Sequence, residues 1–241
     1  MTLTLQSIIR DVVTENPAAA DVFEKLDVDY SCRGGRALGD VLSESGISLQ
    51  AFMGEVDQVA RLRSGNPSSP NWRFVSLRSL IRHIVDTHHA YLRVELPALD
   101  KWIARISERH PGERELLLGL QRAIQRFERD MEVQMRKEEA VLFPAISDME
   151  NGAPLSDLQF GSVANLSRVM QDENIHAAGA LKEICLLSKN YACPPDTSTA
   201  LRTLFEKLRV LTAHTHQHLH LENNILLPRA ISLEKGETSC N

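Results

Sequence analysis

Residues 214–228 read His214-Thr215-His216-Gln217-His218-Leu219-His220-Leu221-Glu222-Asn223-Asn224-Ile225-Leu226-Leu227-Pro228. Four of the chain's nine histidines fall in the first seven of these positions, so the question is which of them share a face. On a helix only 214/218 and 216/220 do. Upstream, Leu201, Leu204, Leu208 and Leu211 lay down an apolar stripe at helical spacing. His218 and Glu222 interrupt that stripe before it resumes at Ile225 and Leu226. A carboxylate taken out of water without a partner costs several kcal/mol. Glu222 therefore calls for a compensating cation, and His218, one turn away, is a suitable co-ligand. His216 and His220 then lie on the outer face or behind the ligands.

The same pattern occurs earlier, where the stripe Leu117, Leu120, Ile124, Phe127, Met131 is interrupted at Gln134 and Glu138 before it resumes at Leu142. Glu138-x-x-Val141-Leu142-Phe143-Pro144 echoes Glu222-x-x-Ile225-Leu226-Leu227-Pro228, with Gln134 standing where the later copy has His218. Two further apolar stripes are broken at mid-length. One runs Leu77, Ile81, Ile84/Val85, Leu92, Leu96, Leu99, Ile103 and is broken at His88-His89, of which His89 is the better inward candidate. The other runs Leu166, Val169/Met170, Ala180, Ile184, Leu187 and is broken at Glu173 and His176. Four interruptions at one level predict a buried metal site. A mixed imidazole and carboxylate set suits iron or manganese better than structural zinc. The alternative is a structural layer in which each buried glutamate pairs with a protein cation.

Working outward, the stripes predict long helices over about 76–108, 112–149, 160–189 and 197–230. His110-Pro111-Gly112, the Gly152/Pro154 region and Pro194-Pro195 break them. No segment alternates with period two, so the chain reads as all-α, an up-down-up-down four-helix bundle over 76–232. Ser64-Gly65-Asn66-Pro67-Ser68-Ser69-Pro70-Asn71 marks a linker over 64–75. Before it, residues 1–63 form a small helical unit, with Ser48 as a helix cap; 233–241 is a tail. The net charge of −5 over 241 residues disfavours nucleic acid and anionic membrane surfaces as partners. No apolar run approaches the roughly 20 residues a spanning helix needs, and the N-terminus lacks the pattern of a signal peptide. Cys32, Cys185, Cys193 and Cys240 suggest neither a disulfide framework nor a zinc site, so a reducing cytoplasm is expected.

Several motifs together carry a family resemblance: Asp29-Tyr30-Ser31-Cys32-Arg33-Gly34-Gly35, His88-His89…Glu95-Leu96-Pro97, Lys137-Glu138-Glu139-Ala140-Val141-Leu142-Phe143-Pro144 and His220-Leu221-Glu222-Asn223-Asn224-Ile225-Leu226-Leu227-Pro228-Arg229-Ala230. Over nearly its whole length the chain resembles the iron–sulfur cluster repair proteins, which join a small cysteine-containing domain to a hemerythrin-like four-helix domain. The resemblance implies a centre of two irons, with His89, His218, Glu138 and Glu222 as ligands and the glutamates bridging. It also implies a histidine where Gln134 stands, and a Glu-His pair near 173–175, where this chain reads Glu173-Asn174-Ile175-His176. One iron position is thus expected intact and the other weakened, unless a bulge in the third helix returns Glu173 or His176 to the site.

Cys32 resembles the family's reactive cysteine, with Arg33 and Arg36 favouring a thiolate for iron transfer or redox chemistry; the alternative is an inert buried thiol. The implied function is restoring clusters damaged by nitrosative or oxidative stress, with damaged iron–sulfur proteins as clients and self-association through the small domain. Rival readings are a nitric oxide or oxygen sensor and a metal-free interaction protein on the same scaffold. No covalent catalytic apparatus is evident, and a hydrolase lacks a nucleophile beside the ligands.

Overall fold

Asn16-Pro17 separates the first two helices of the chain, α1 (Ile9–Glu15) and α2 (Ala18–Lys25). The Asn16 side chain accepts a hydrogen bond from the Ala18 amide and so satisfies one of the free donors at the start of α2. α3 (Leu38–Ser45) ends at Gly46 in the left-handed region, φ 69°. α4 (Leu49–Arg63) starts from Ser48, whose hydroxyl accepts from the Ala51 amide at 3.1 Å, as its sequence suggests. The apolar faces of these helices meet in one core containing Ile9, Val12, Val22, Phe23, Tyr30, Leu38, Leu42, Phe52 and Val56. Phe23 and Phe52 pack with ring centroids 5.1 Å apart. Each contributes roughly 1.5–3 kcal/mol by burial.

The structure is a computed structural model that describes residues 3–63, 70–153 and 162–236. The first half of the 64–75 linker, the Pro154 break and the end of the tail lie outside these. The remaining described α-helices are α5 (Leu77–His83), α6 (Ala90–Arg109), α7 (Arg114–Lys137), α8 (Phe143–Glu150), α9 (Val163–Leu187), α10 (Thr199–Leu221) and α11 (Leu227–Glu234). Three pairs of them run on through single π-helical turns: Ile84–His89 joins α5 to α6, Glu138–Leu142 joins α7 to α8, and Glu222–Leu226 joins α10 to α11. α9 has no such turn and is regular over its 25 residues. Ser162 caps it by accepting from the Asn165 amide. Among the described residues there is no strand, only an isolated bridge between Ile8 and Ala37.

A second core joins four helices. It takes Leu92, Leu96, Leu99 and Ile103 from α6, and Leu120, Ile124, Phe127 and Met131 from α7. Ala177, Leu181 and Ile184 come from α9, and Leu201, Leu204, Leu208 and Leu211 from α10. The stripes read on α6, α7 and α10 are thus the buried faces. On α9 the buried face is Met170, Asn174, Ala177, Leu181 and Ile184, one position away from the expected one.

The chain divides into two compact units, Met1–Leu80 with His216–Asn241, and Ile81–Thr215. Both divisions fall inside continuous helices, α5 and α10. Within the first unit, the loop after α2 is tied to the last turns of α10 and the residues that follow. His216 Nδ1 lies 2.8 Å from Glu24 Oε1, and the Tyr30 ring meets His216 and His220 edge-on. Asn224 donates to the carbonyls of Tyr30 and Ser31 at 3.3 and 3.0 Å. Gly34 is required here by close approach, since a Cβ would sit 2.5 Å from the Tyr30 carbonyl oxygen and 2.7 Å from Arg10 Cβ.

Candidate metal centre

Each π turn carries one of the candidate ligands. His89 closes the first, while Glu138 and Glu222 open the second and third. In the last two a proline follows six residues after the glutamate, at Pro144 and Pro228. Proline has no amide hydrogen and its ring crowds the carbonyl four residues back. Those carbonyls, on Ala140 and Asn224, lie within the π turns, where the widened helix gives the ring room. The extra residue also shifts the phase of the stripe, which is why π turns are frequent at functional sites.

His89 Nε2 lies 3.3 Å from Glu138 Oε2, and His218 Nε2 lies 2.9 Å from Glu222 Oε1. All four side chains are buried, none more than 3 % exposed. One nitrogen or oxygen from each of His89, Glu138, His218 and Glu222 lies within 4.8 Å of the other three. Two carboxylates and two imidazoles held out of water form a donor set that fits a divalent cation.

The neighbouring side chains fix how two of the ligands point. His89 Nδ1 donates to Glu139 Oε1 at 2.6 Å, leaving Nε2 for the centre. Arg93 in turn donates to both Glu139 oxygens, at 2.9 and 3.3 Å. Burial pushes the Glu139 carboxyl up, but the hydrogen bonds from Arg93 and His89 outweigh it and hold the group below its ordinary value. Gln134, also buried, donates from Nε2 to Glu138 Oε1 at 2.8 Å and to Asn174 Oδ1. A carboxylate only accepts, so the amide turns its N–H toward Glu138.

Three expected ligands make other contacts. Gln134 braces Glu138. His176 is exposed. Glu173 accepts from Lys137 Nζ at the helix surface. The cause is the regular course of α9. With Asn174 inward, each residue turns about 100°, so Glu173 points sideways and His176, two residues on, points away. No bulge corrects this. Asn174 and Glu139 are the site residues that the stripes did not reveal. Asn174 was findable, because Met170, Asn174, Ala177, Leu181 and Ile184 follow strict 4-3-4-3 spacing. Glu139 carries no such mark.

Cys32 lies in surroundings that differ from those its sequence neighbours suggest. Its thiol is pushed up to about 12, first by burial and then by Asp29, with Glu222 adding to both, while Arg33 opposes them only weakly. Asp29 Oδ1 accepts from the Ser31 amide and hydroxyl and from the Cys32 amide, and Asn223 Nδ2 lies 3.7 Å from the sulfur. Arg36 pairs with Glu44 instead. Burial and the neighbouring carboxylates thus work against the thiolate that the sequence suggests. His216 and His220 face Glu24, Thr14 and Asn224, outside the four-residue cluster but with His220 buried. His88 stacks toward His214 with ring centroids 4.5 Å apart, outside the four-residue cluster.

Residues 80–230 match the family described as the Hemerythrin HHE cation binding domain, a span that contains all four clustered residues. The chain belongs to that family. Residues 5–60 match a second family, ScdA_N, described as a domain of unknown function. Curated relatives align over almost the whole chain. The iron–sulfur cluster repair protein ScdA of Staphylococcus haemolyticus is 24% identical, covering 93% of this chain and 97% of its own. The iron–sulfur cluster repair protein YtfE of Citrobacter koseri is 26% identical, covering 90% and 93%. That of an Enterobacter species is 27% identical, covering 93% and 96%. No described helix of this hemerythrin-family chain is long and apolar enough to cross a membrane.

Proposed function

We propose that this chain is a non-haem iron protein that restores damaged iron–sulfur clusters, holding its metal through His89, Glu138, His218 and Glu222. The observation that carries the reading is the convergence of these four buried donors within 4.8 Å. Near-full-length similarity to proteins named for cluster repair supports the assignment of the task. Bound iron supplies exchangeable coordination and one-electron chemistry in a water-poor site. The protein's part is to orient and exclude. Arg93 and Glu139 fix the ring nitrogen that His89 presents, Gln134 fixes one oxygen of Glu138, and the apolar layers around Met131 and Leu211 keep bulk water out. Damaged iron–sulfur proteins are the clients, and the reducing cytoplasm is the compartment in which the thiols of Cys32, Cys185 and Cys193 persist.

The test is reactivation of a nitric-oxide-damaged iron–sulfur hydratase by anaerobically iron-loaded protein. Wild type is expected to restore activity. The His89→Ala/Glu222→Ala variant, shown by circular dichroism to be folded, is expected to restore none. Wild type that retains under a tenth of an equivalent of iron, or that forms a stable nitrosyl without reactivating the client, would overturn the proposal; the second result would favour a sensor.

A further inference from the structure

The four clustered donors are compact, and on one side they are closed by amides. Metal–nitrogen and metal–oxygen bonds of about 2.0–2.2 Å put neighbouring donors around one ion at roughly 3–3.5 Å. The paired contacts of 3.3 Å between His89 and Glu138 and 2.9 Å between His218 and Glu222 already have that spacing. Two cations about 3.5–4 Å apart would need donors spread more widely, including on the far side of Glu138. That side is taken. Glu138 Oε1, the oxygen that would reach a second ion, accepts from Gln134 Nε2 at 2.8 Å. The same amide nitrogen donates to Asn174 Oδ1. An amide N–H is the positive end of a dipole, so its presence on Glu138 Oε1 opposes a cation at that oxygen.

Charge and backbone agree with this. Glu138 and Glu222 balance one divalent ion. The next carboxylate along α9, Glu173, is committed to Lys137 at the surface. Every ligand-bearing helix turns through a π segment, whereas α9 has none and brings only Asn174 to the inner face.

We infer that this chain holds a single divalent metal ion, with Gln134 and Asn174 forming an amide latch that fixes Glu138 and fills the place of a second ion. The inference rests on the metal-binding reading above, and the two fail differently. Full-length protein is loaded anaerobically with excess Fe(II) or Mn(II), desalted and analysed for metal. About one equivalent per chain supports the latch; about two overturns it and leaves the metal-binding reading intact. Less than a tenth of an equivalent overturns both.

Oxidation of the iron-loaded protein gives a second readout. A lone ferric ion is expected to give a high-spin paramagnetic resonance signal accounting for nearly all the iron. A coupled, silent pair would overturn the inference. The Gln134→His/Asn174→His variant is expected to raise binding from about one to about two equivalents. A folded variant that stays at one would show that the amides are not what excludes the second ion. Should that variant not fold, the wild-type stoichiometry and resonance signal still decide.

Discussion

Glu139 follows one ligand in sequence and acts on another. It neighbours Glu138, yet its carboxylate receives the Nδ1 proton of His89 at 2.6 Å and is held by Arg93 across 46 residues of chain. A carboxylate behind an imidazole fixes the ring and raises its basicity toward metal. Glu139→Gln is therefore expected to weaken metal affinity by about 10–100-fold while leaving the helices intact. Chelator competition against the wild type measures this, and an unchanged affinity would show that Glu139 is only a surface partner of Arg93. His89, Glu138, His218 and Glu222 were legible in the sequence because each breaks an apolar stripe, and a broken stripe is visible without coordinates. Glu139 lies off the stripe, and its role comes from tertiary placement alone. Cys32 shows the converse. Its sequence neighbours Arg33 and Arg36 suggest a thiolate, whereas burial and the carboxylate of Asp29 push the thiol pKa up.

At the scale of elements, α9 shows how a helix can be read correctly and its phase wrongly. Its existence followed from periodicity. Its buried face was misjudged because exposed Val169 and Ile175, at 52% and 58% exposure, pulled the apolar pattern aside while polar Asn174 turned inward. The π turns were also beyond the sequence, although the repeated glutamate-to-proline spacing marks two of them.

α10 carries a pH-dependent contact at His216. Burial works against its charge, but the hydrogen bond to Glu24, helped by Asp29 and Asp27, wins and raises its pKa. A raised folded-state value means the stabilisation is complete below the ordinary histidine value of about 6.5 and fades as pH climbs through the raised one. Glu24→Gln is accordingly expected to cost about 1–3 kcal/mol at pH 6 and much less at pH 9. Urea unfolding of metal-free wild type and variant reads the difference, so titrations common to both cancel. An equal loss at both pH values would mean that the contact is not ionic.

For the whole molecule, the architecture was legible because three of its four long stripes are true core faces. The division into two compact units falls within unbroken helices and leaves no mark in composition. The two apolar cores supply the driving force for folding, and the buried carboxylates oppose it. Glu138 and Glu222, at 1% and 3% exposure, are a liability in the metal-free chain and an asset once a cation is bound. A ligand that binds only the folded state at a hundred times its Kd adds about 2.7 kcal/mol. For a chain of this size that is roughly 5–11 °C in Tm, at about 2–4 °C per kcal/mol. Fe(II) or Mn(II) in that excess should therefore raise the Tm of wild type by this amount. The near-isosteric Glu138→Gln/Glu222→Gln variant removes both charges and should reverse the order. Without metal it is expected to melt at or above the wild-type temperature, and with metal below it. Anaerobic calorimetry of the four samples makes the comparison. A variant that melts below metal-free wild type would mean that the two glutamates are already neutralised inside the protein, making the cluster a structural polar layer.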